Sequence, residues 1–562
     1  MNPAHETSNG HPLNTRHSRR ALLKGTAGAG TLALAAGIDR THVTAQDATP
    51  ATPAAAPGLT TGEEFYPSPA EGVPDAFETF PEPFRTVETP PGSGGPVSIF
   101  QITFNPPIAP RDENAYWKER EQRLGVSELD VTFASSDTYE AQLATLTAGG
   151  ELRDLMYLDL ALAPAQIDAI QQGAYTDLTP YVTGEALNTY PNLARLPEFM
   201  WKNSAIDGKN WGVPRSSFTV GSWLSLRQDW ADKVGIPSPK NAEELFELLV
   251  AFTQGDPDGN GRADTYGIAA PEGSFGIAQF QYMFRVPNVW RLNDDGTLTH
   301  AIETEEYEQT ITYVRRLFEA GVYHPDVPAM NATQVADAFV AGQVGANIGG
   351  RLSLPGGNGL RVATNQVYPD AEVVGLIVPG HDGGKPTTHL GPGYLAITAI
   401  PASVGSDDER LQELLRILNY YAAPFGSEEH VFSFFGVDGV HSTTRPDGSR
   451  ERTDMFKQEI LDFPNLVTYP PAYYFDIPGD AKYIQDLSTQ YVANAVADPT
   501  LGLYSPAAAE NGAELGQLIE DRVTSIVTGR EPLDALGTMV DDWRSRGGDE
   551  MREEFQESLG SA

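Results

Sequence analysis

The sequence predicts an α/β protein built on parallel sheet with helices on both faces. Three observations predict it. From residue 96 onward, strand-like and helix-like runs alternate at the spacing of strand–helix–strand units. With 40% hydrophobic residues and 9% aromatics, the chain can build sizeable cores. No repeat of the solenoid kind with a fixed period competes with this reading.

Taken in order, the first strand is Pro96–Phe104 (PVSIFQITF), followed by a helical stretch at Ala115–Leu124. A strand at Leu129–Ala134 and a helix from Asp137 to Ala148 come next. The buried strand DLMYLDL ends near Leu160, and a helical stretch covers Ala163–Gln172. Later helices are legible at Asn241–Thr253, Thr304–Ala320, Thr333–Ala341, Asp408–Ala422, Ala507–Thr528 and Glu531–Arg546. Residues 46–95 are rich in Pro, Ala, Thr and Glu, and that composition predicts an extended, mobile linker outside any core. A length of 562 residues suits three to four domains, or one large two-lobed protein with long insertions.

Charge and composition exclude whole classes of function. The formal net charge is -38, which repels phosphate backbones and anionic lipid, so no nucleic-acid partner is expected. There are no cysteines. Disulfides, thiolate zinc sites, iron–sulfur clusters, Cys nucleophiles and a lipid-anchored Cys are therefore all excluded. Residues 1–45 read as an export signal. Ser18–Lys24 (SRRALLK) precedes the small apolar stretch GTAGAGTLALAAGI, and Val43-Thr44-Ala45 offers a small-residue cut site. The pair Arg19-Arg20 makes it a twin-arginine type of signal, the route for proteins exported already folded.

Catalytic signatures are missing. The six histidines beyond the signal (His300, His324, His381, His389, His430, His441) show no helical metal-ligand spacing, and there is no G-x-S-x-G elbow. In Pro379-GHDGGKP, prolines replace the first glycine and the Ser/Thr of a phosphate-binding loop, so it reads as a surface turn. A carboxylate pair for glycoside hydrolysis is not excluded, because folding rather than sequence sets its geometry.

Several segments, in order, carry a family resemblance. They are DTYEAQLATLTAGGELRDLMYL (Asp137–Leu158), QQGAYTDLTPYV (Gln171–Val182) and IDGKNWGVPRS (Ile206–Ser216). WLSLRQDWADKVGIPSPKNAEELFELLVAF (Trp223–Phe252) is the strongest, and FFGVDGVHST (Phe434–Thr443) and the stretch Val527–Phe555 close the set. Together they resemble the extracellular solute-binding proteins of family 1, the receptors of sugar ABC importers. The likeness is greatest to the long oligosaccharide-binding branch with LplA-like and alginate-binding proteins. The resemblance implies a type II periplasmic-binding-protein-like fold, with two α/β lobes, a multi-strand hinge and a ligand cleft between them. It implies an N-terminal lobe of 96–220 plus about 390–470 and a C-terminal lobe of 221–389 plus about 471–562. Crossings fall near Ser217–Trp223, Leu376–Tyr394 and Val467–Tyr474. It implies a monomer at the periplasmic or extracellular face of the membrane that serves an ABC permease. Without Cys, the anchor differs from that of lipoprotein members.

Sugars present hydroxyl rims and apolar C–H faces, so their sites pair aromatic platforms with polar side chains. By position, the candidate ligand-binding residues are Asn105, Asp159, Trp211, Arg215, Trp223, Arg351, Tyr394, Tyr473 and Tyr474. Arg351 stands where the family often has Trp, which points to a charged or polar substituent on the sugar. For each aromatic, packing against a helix is the competing reading.

The run DPDGNGRAD is a second motif. Asp256, Asp258 and Asn260 alternate, Gly261 supplies the turn, Arg262 offers a carbonyl and Asp264 is ninth, as in an EF-hand-type loop for structural Ca2+. The twelfth position is Gly267 rather than Glu, and the competing reading is a solvated acidic turn. The expected function is thus an exported, non-enzymatic receptor that delivers an oligosaccharide to a permease. The alternatives are a secreted glycoside hydrolase and a same-fold receptor for a non-sugar polar solute.

Overall fold

The computed structural model describes residues 65–561 apart from 160–164, 207, 351, 447 and 462. The export signal and the first part of the predicted linker lie outside the described residues, as does Arg351.

The described residues begin with two short antiparallel strands, β1 (Phe65–Tyr66) and β2 (Ala76–Phe77). A first lobe follows from β3 (Pro96–Thr103), α1 (Ala115–Leu124), β4 (Glu128–Ser135), α2 (Tyr139–Gly149), β5 (Leu155–Leu158), α3 (Ala165–Gln171) and β6 (Gly212–Ser216). The chain then crosses to a second lobe. There it lays down β7 (Leu224–Arg227), α4 (Ala242–Gln254), β8 (Tyr266–Ala269), α5 (Glu305–Glu319), α6 (Ala332–Val340), β9 (Val344–Ile348), β10 (Val373–Leu376) and β11 (Thr388–His389). It returns to the first lobe as β12 (Tyr394–Ala399), α7 (Asp408–Tyr421) and α8 (Glu428–Phe435). A last crossing leads to β13 (Tyr473–Tyr474), α9 (Asp480–Val492), β14 (Ala495–Val496) and α10 (Pro506–Val527) on the second lobe.

Local chemistry sets the helix limits. The Asn114 side chain accepts from Trp117 N at the start of α1, and Gly125 ends that helix in the left-handed region at φ 69. Asn241 caps α4 through Glu244 N, and Glu243 and Glu244 place negative charge at its positive end. Thr304, Asp407 and Ser427 cap α5, α7 and α8 in the same way. The helix expected over Glu531–Arg546 is shorter at its start. It runs Ala535–Trp543, passes a wide turn at Arg544–Gly548 where Gly547 has φ 126, and continues as Asp549–Ser561.

The first sheet has the order β4-β3-β5-β12-β6, and the second β10-β7-β9-β8. Neither is wholly parallel, which corrects the expectation of parallel sheets. β3, β4 and β5 run together, but β12 is antiparallel to both β5 and β6. In the second sheet β7 opposes both β9 and β10. The reversed strand in each case is one that enters from the other lobe, so it starts at the end where its neighbours finish.

Two cores result. One joins Val97–Val213 to Ala396–Val467, and the other joins Val220–Val378 to Tyr473–Phe555. Between them the crossings are knitted together. Ser217 N donates to Gly393 O and Gly391 N to Thr219 O, each at 2.7 Å. Ser216 Oγ lies 2.6 Å from both Thr468 O and Tyr469 O. Gly221 has to be glycine here, because a Cβ would sit 2.4 Å from the Tyr491 hydroxyl.

The described part of the predicted linker is folded, which corrects that boundary. Phe65, Val73, Ala76, Phe77 and Phe80 are buried. β2 pairs in parallel with β13, and the rest of the segment runs along the first lobe to β3. Burial of five apolar side chains outweighs the tendency of a Pro-rich stretch to stay extended in water.

Trp223 also belongs to a core. It is 2% exposed, its ring lies against Gly375, and it presents no face for stacking a sugar. Trp223→Ala is therefore expected to lower stability by about 3–5 kcal/mol, read from the denaturation midpoint. A variant that melts like the parent would place the ring outside the core.

Candidate functional site

β3, β5 and β6 all finish at the edge of the first sheet where β12 begins, and that edge collects side chains from four strands. Asp159 follows Leu158 directly, and Leu158 pairs with Ile397. Arg215 on β6 pairs with Ala396. Asp159 and Arg215 therefore flank the same short stretch of β12 from either side. Tyr394 begins β12, and Asn105 lies two residues beyond β3 with its N–H on Thr103 Oγ1 at 3.2 Å.

The strand end is pinned by Tyr139, whose hydroxyl donates to Tyr157 O at 2.7 Å and accepts from Asp159 N at 3.1 Å. Burial pushes the Tyr157 phenol up to about 12, with Arg215 pulling it down and Asp159 pushing it further. Burial raises Tyr394 as well, and Asp159 adds to that shift. Both phenols therefore stay protonated as hydrogen-bonding groups beside a carboxylate and a guanidinium. Arg215 donates Nη2 to Asn465 Oδ1 at 3.2 Å, and its buried Nε has no hydrogen-bond partner among the described residues.

Two exposed apolar side chains stand at the same edge, and neither was singled out from the sequence. Phe104 is 61% exposed immediately after β3, and Leu395 is 53% exposed between the buried Tyr394 and Ala396. The register of β12 against β6 shifts between Tyr394 and Ala396, and a bulge of this kind re-aims a side chain at a sheet edge. The strand reading stopped one residue late at Phe104. Its exposure becomes visible only once the strand is seen to end at Thr103.

The remaining candidates do not join this cluster. Trp211 precedes β6 at its opposite end, with its indole N–H on Ile206 O at 2.9 Å and Lys209 over its ring. Tyr473 is fully buried, stacks on Phe218 and shares a 2.7 Å hydrogen bond with Ser488 Oγ. Tyr474 packs against Phe80 and Phe425 at the hinge. On the second lobe, Gly350 and Leu352 flank the Arg351 position just after β9, and Leu352 is 44% exposed.

The acidic loop folds around its own carboxylates. Gly261 N donates to Asp256 Oδ2 at 3.1 Å, and the Asn260 amide nitrogen reaches Asp258 Oδ2 at 2.6 Å and Asp264 Oδ1 at 3.1 Å. Desolvation opposes ionisation of both aspartates. Hydrogen bonds from Asp258 and three backbone N–H groups nevertheless leave Asp256 below the usual carboxylate range. Asp258 lies above that range, through desolvation and then the neighbouring Asp256 and Asp264. Arg262 N donates to Asn260 Oδ1 at 2.8 Å. Gly267 stands in β8 and supplies no closing carboxylate. Among the described residues, no three His, Asp or Glu side chains form a ready metal-binding group. The carboxylates of Asp258 and Asp264 gather around the Asn260 amide and that of Asp256 closes on Gly261 N, all oxygen donors of the hard kind that Ca2+ takes.

Comparison with known proteins places this geometry. The chain is 27% identical over 454 residues to the polygalacturonan/rhamnogalacturonan-binding protein YtcQ of Bacillus subtilis (strain 168), a match covering 78% of this chain and 87% of that protein. The structure resembles alginate-binding protein AlgQ2 without calcium ion, with a TM-score of 0.60 and 14% identity over 85% of this chain and 99% of that one. It also resembles an EF-hand mutant of the Streptococcus pneumoniae ABC-transporter substrate-binding protein FusA in complex with fructo-nystose. There the TM-score is 0.58 and the identity 16%, over 83% of this chain and 99% of the other. At these identities the structural likenesses carry the fold alone, a two-lobed type II binding protein. A model of the bacterial extracellular solute-binding protein family matches residues 127–416, just over half of the chain, and the protein belongs to that family.

Proposed function

We propose that the protein is a non-enzymatic receptor that captures an oligosaccharide between its lobes and delivers it to the membrane subunits of an ABC importer. The observation that carries this reading is the edge of the first sheet. There a carboxylate and a guanidinium, Asp159 and Arg215, flank β12 from either side, and the exposed apolar side chains Phe104 and Leu395 stand at the same edge. A sugar ring has the matching surface, with hydroxyls around its rim and C–H groups on its faces. The similarity to YtcQ, named for binding polygalacturonan and rhamnogalacturonan, supports a fragment of such a polysaccharide as the ligand class.

Thermal-shift and calorimetric titration against a panel of oligosaccharides, pectin fragments included, tests the reading. Arg215→Ala removes a charge-assisted hydrogen bond of about 1.5–3 kcal/mol, so affinity should fall at least tenfold. Phe104→Ala removes an exposed platform and should cost about tenfold in affinity at an unchanged melting temperature. Reducing sugar released from polysaccharide by the purified protein would instead make it an enzyme.

We further propose that the loop of Asp256, Asp258, Asn260, Arg262 and Asp264 holds a structural Ca2+. An ion bound only by the folded loop stabilises by RT ln(1 + [L]/Kd), about 2.7 kcal/mol at a hundred times Kd. Chelator should therefore lower the melting temperature, and Asp258→Ala should abolish the difference. Equal melting of the parent with calcium and with chelator would remove the ion from the account.

Export through the twin-arginine route is the third element, resting on Arg19-Arg20 ahead of the small apolar stretch. The double variant Arg19→Lys, Arg20→Lys should leave precursor in the cytoplasm. Its normal appearance outside the membrane would exclude that route.

A further inference from the structure

Residues 65–93 touch both lobes at once. On the second lobe, the Glu78 carboxylate accepts from Gly479 N at 2.7 Å and Lys482 N at 3.0 Å, and so closes the positive end of the 13-residue α9. The Gln485 amide, one turn further along α9, donates to the carbonyls of Tyr66, Pro67 and Pro74. Tyr473 N donates to Asp75 O as β2 and β13 pair. On the first lobe, the buried Glu429 carboxylate accepts from Thr86 N at 3.0 Å and Val87 N at 2.8 Å. Further on, Ser93 N donates to Glu413 Oε1 at 2.6 Å. The Arg85–Glu428 pair is exposed on both sides and adds little.

The Phe84 carbonyl accepts from Glu428 N at 2.8 Å on the first lobe, so five residues, Thr79-Phe80-Pro81-Glu82-Pro83, lie between Glu78 and the nearest first-lobe backbone anchor. The ring of Phe80 sits at the joint, 5.2 Å from Phe425 of the first lobe and 5.4 Å from Tyr474 of the last crossing. Two prolines fix their φ angles, and five residues span at most about 17 Å. Further back, Thr219 Oγ1 in the first crossing donates to Gly72 O at 2.6 Å, so the segment is also tied to the hinge itself.

We infer that residues 65–93 form a fourth connection between the lobes, a strap that limits how far they move apart and together. It rests on the reading of the protein as a receptor that closes over its ligand. The first two of the other crossings are continuous with strands of the two main sheets and turn with them, and the last leads into β13, which pairs with the strap's own β2. The strap instead grips a helix end on one side and a buried carboxylate on the other, so any change in the angle between the lobes must be taken up by Thr79–Pro83. Affinity for the ligand then depends on residues that never touch it.

The test needs no ligand, and so is separable from the identity of the sugar. The chain has no cysteine, so Gln172→Cys on the first lobe and Thr333→Cys on the second, both exposed, take spin labels uniquely. Inserting Gly-Ser-Gly-Ser between the exposed Glu82 and Pro83 keeps every anchor and adds roughly 10 Å of slack. The interlobe distance distribution of the free protein, measured by pulsed electron–electron resonance, should broaden by several ångströms in the lengthened protein. Glu78→Gln, which weakens the grip on α9 without changing its shape, should broaden it in the same direction by less. If the insertion lowers the melting temperature, Glu78→Gln decides alone. Distributions identical to the parent in folded variants would overturn the strap and leave the receptor reading standing.

Discussion

The constraint on which the structure depends is that the chain passes between two sheets at one edge of each. A strand entering a sheet at that edge must run against those that leave there. β12 does this in the first sheet and β7 in the second, and each lies between two neighbours rather than at the margin. A central reversed strand brings its first residues level with the last residues of the strands on either side. That is why Tyr394, Asp159 and Arg215 meet, although 235 positions separate the outer two in sequence.

The same arrangement explains which parts of the site were legible in the sequence. Asp159, Arg215 and Tyr394 each sit at the tip of a run recognisable as a strand, and strand ends are where α/β sheets offer ligand contacts. Trp211, Trp223 and Tyr473 were equally close to recognisable boundaries, yet the structure buries or engages their polar atoms elsewhere. The reason is that an aromatic residue looks the same in sequence whether it faces a cleft or a core. Phe104 was hidden differently. An apolar residue at the end of an apolar strand reads as one more strand residue, and only the hydrogen-bonded register shows that the sheet has already finished.

Helix positions were legible to within about a turn because side-chain caps and apolar periodicity act locally. Sheet direction was not, since it depends on where the chain has come from. The strap was misread for a related reason. Its composition is that of a linker, and the apolar residues that anchor it are spread over 16 positions from Phe65 to Phe80 without helical or strand periodicity. They find their burial on β13, α9 and Phe425, all more than 300 residues away in sequence.

Burial at the hinge bears on how the receptor works. A hinge of bare strands bends where its backbone is softest, and its range is set by collision of the lobes. Here aromatic rings fill the space beside the crossings. Phe218 stacks on Tyr473 at 5.6 Å, and Phe80 bridges Phe425 and Tyr474. Such a joint cannot be pulled apart without separating rings that are held by dispersion and excluded from water, and each lost ring contact opposes the movement. Lobe motion is therefore confined to directions that keep the rings together. Rotation that slides one ring across another preserves most of the contact, whereas separation of the lobes along the crossings does not. The geometry of the hinge thus favours lobe movements that keep these rings in contact over separation of the lobes along the crossings.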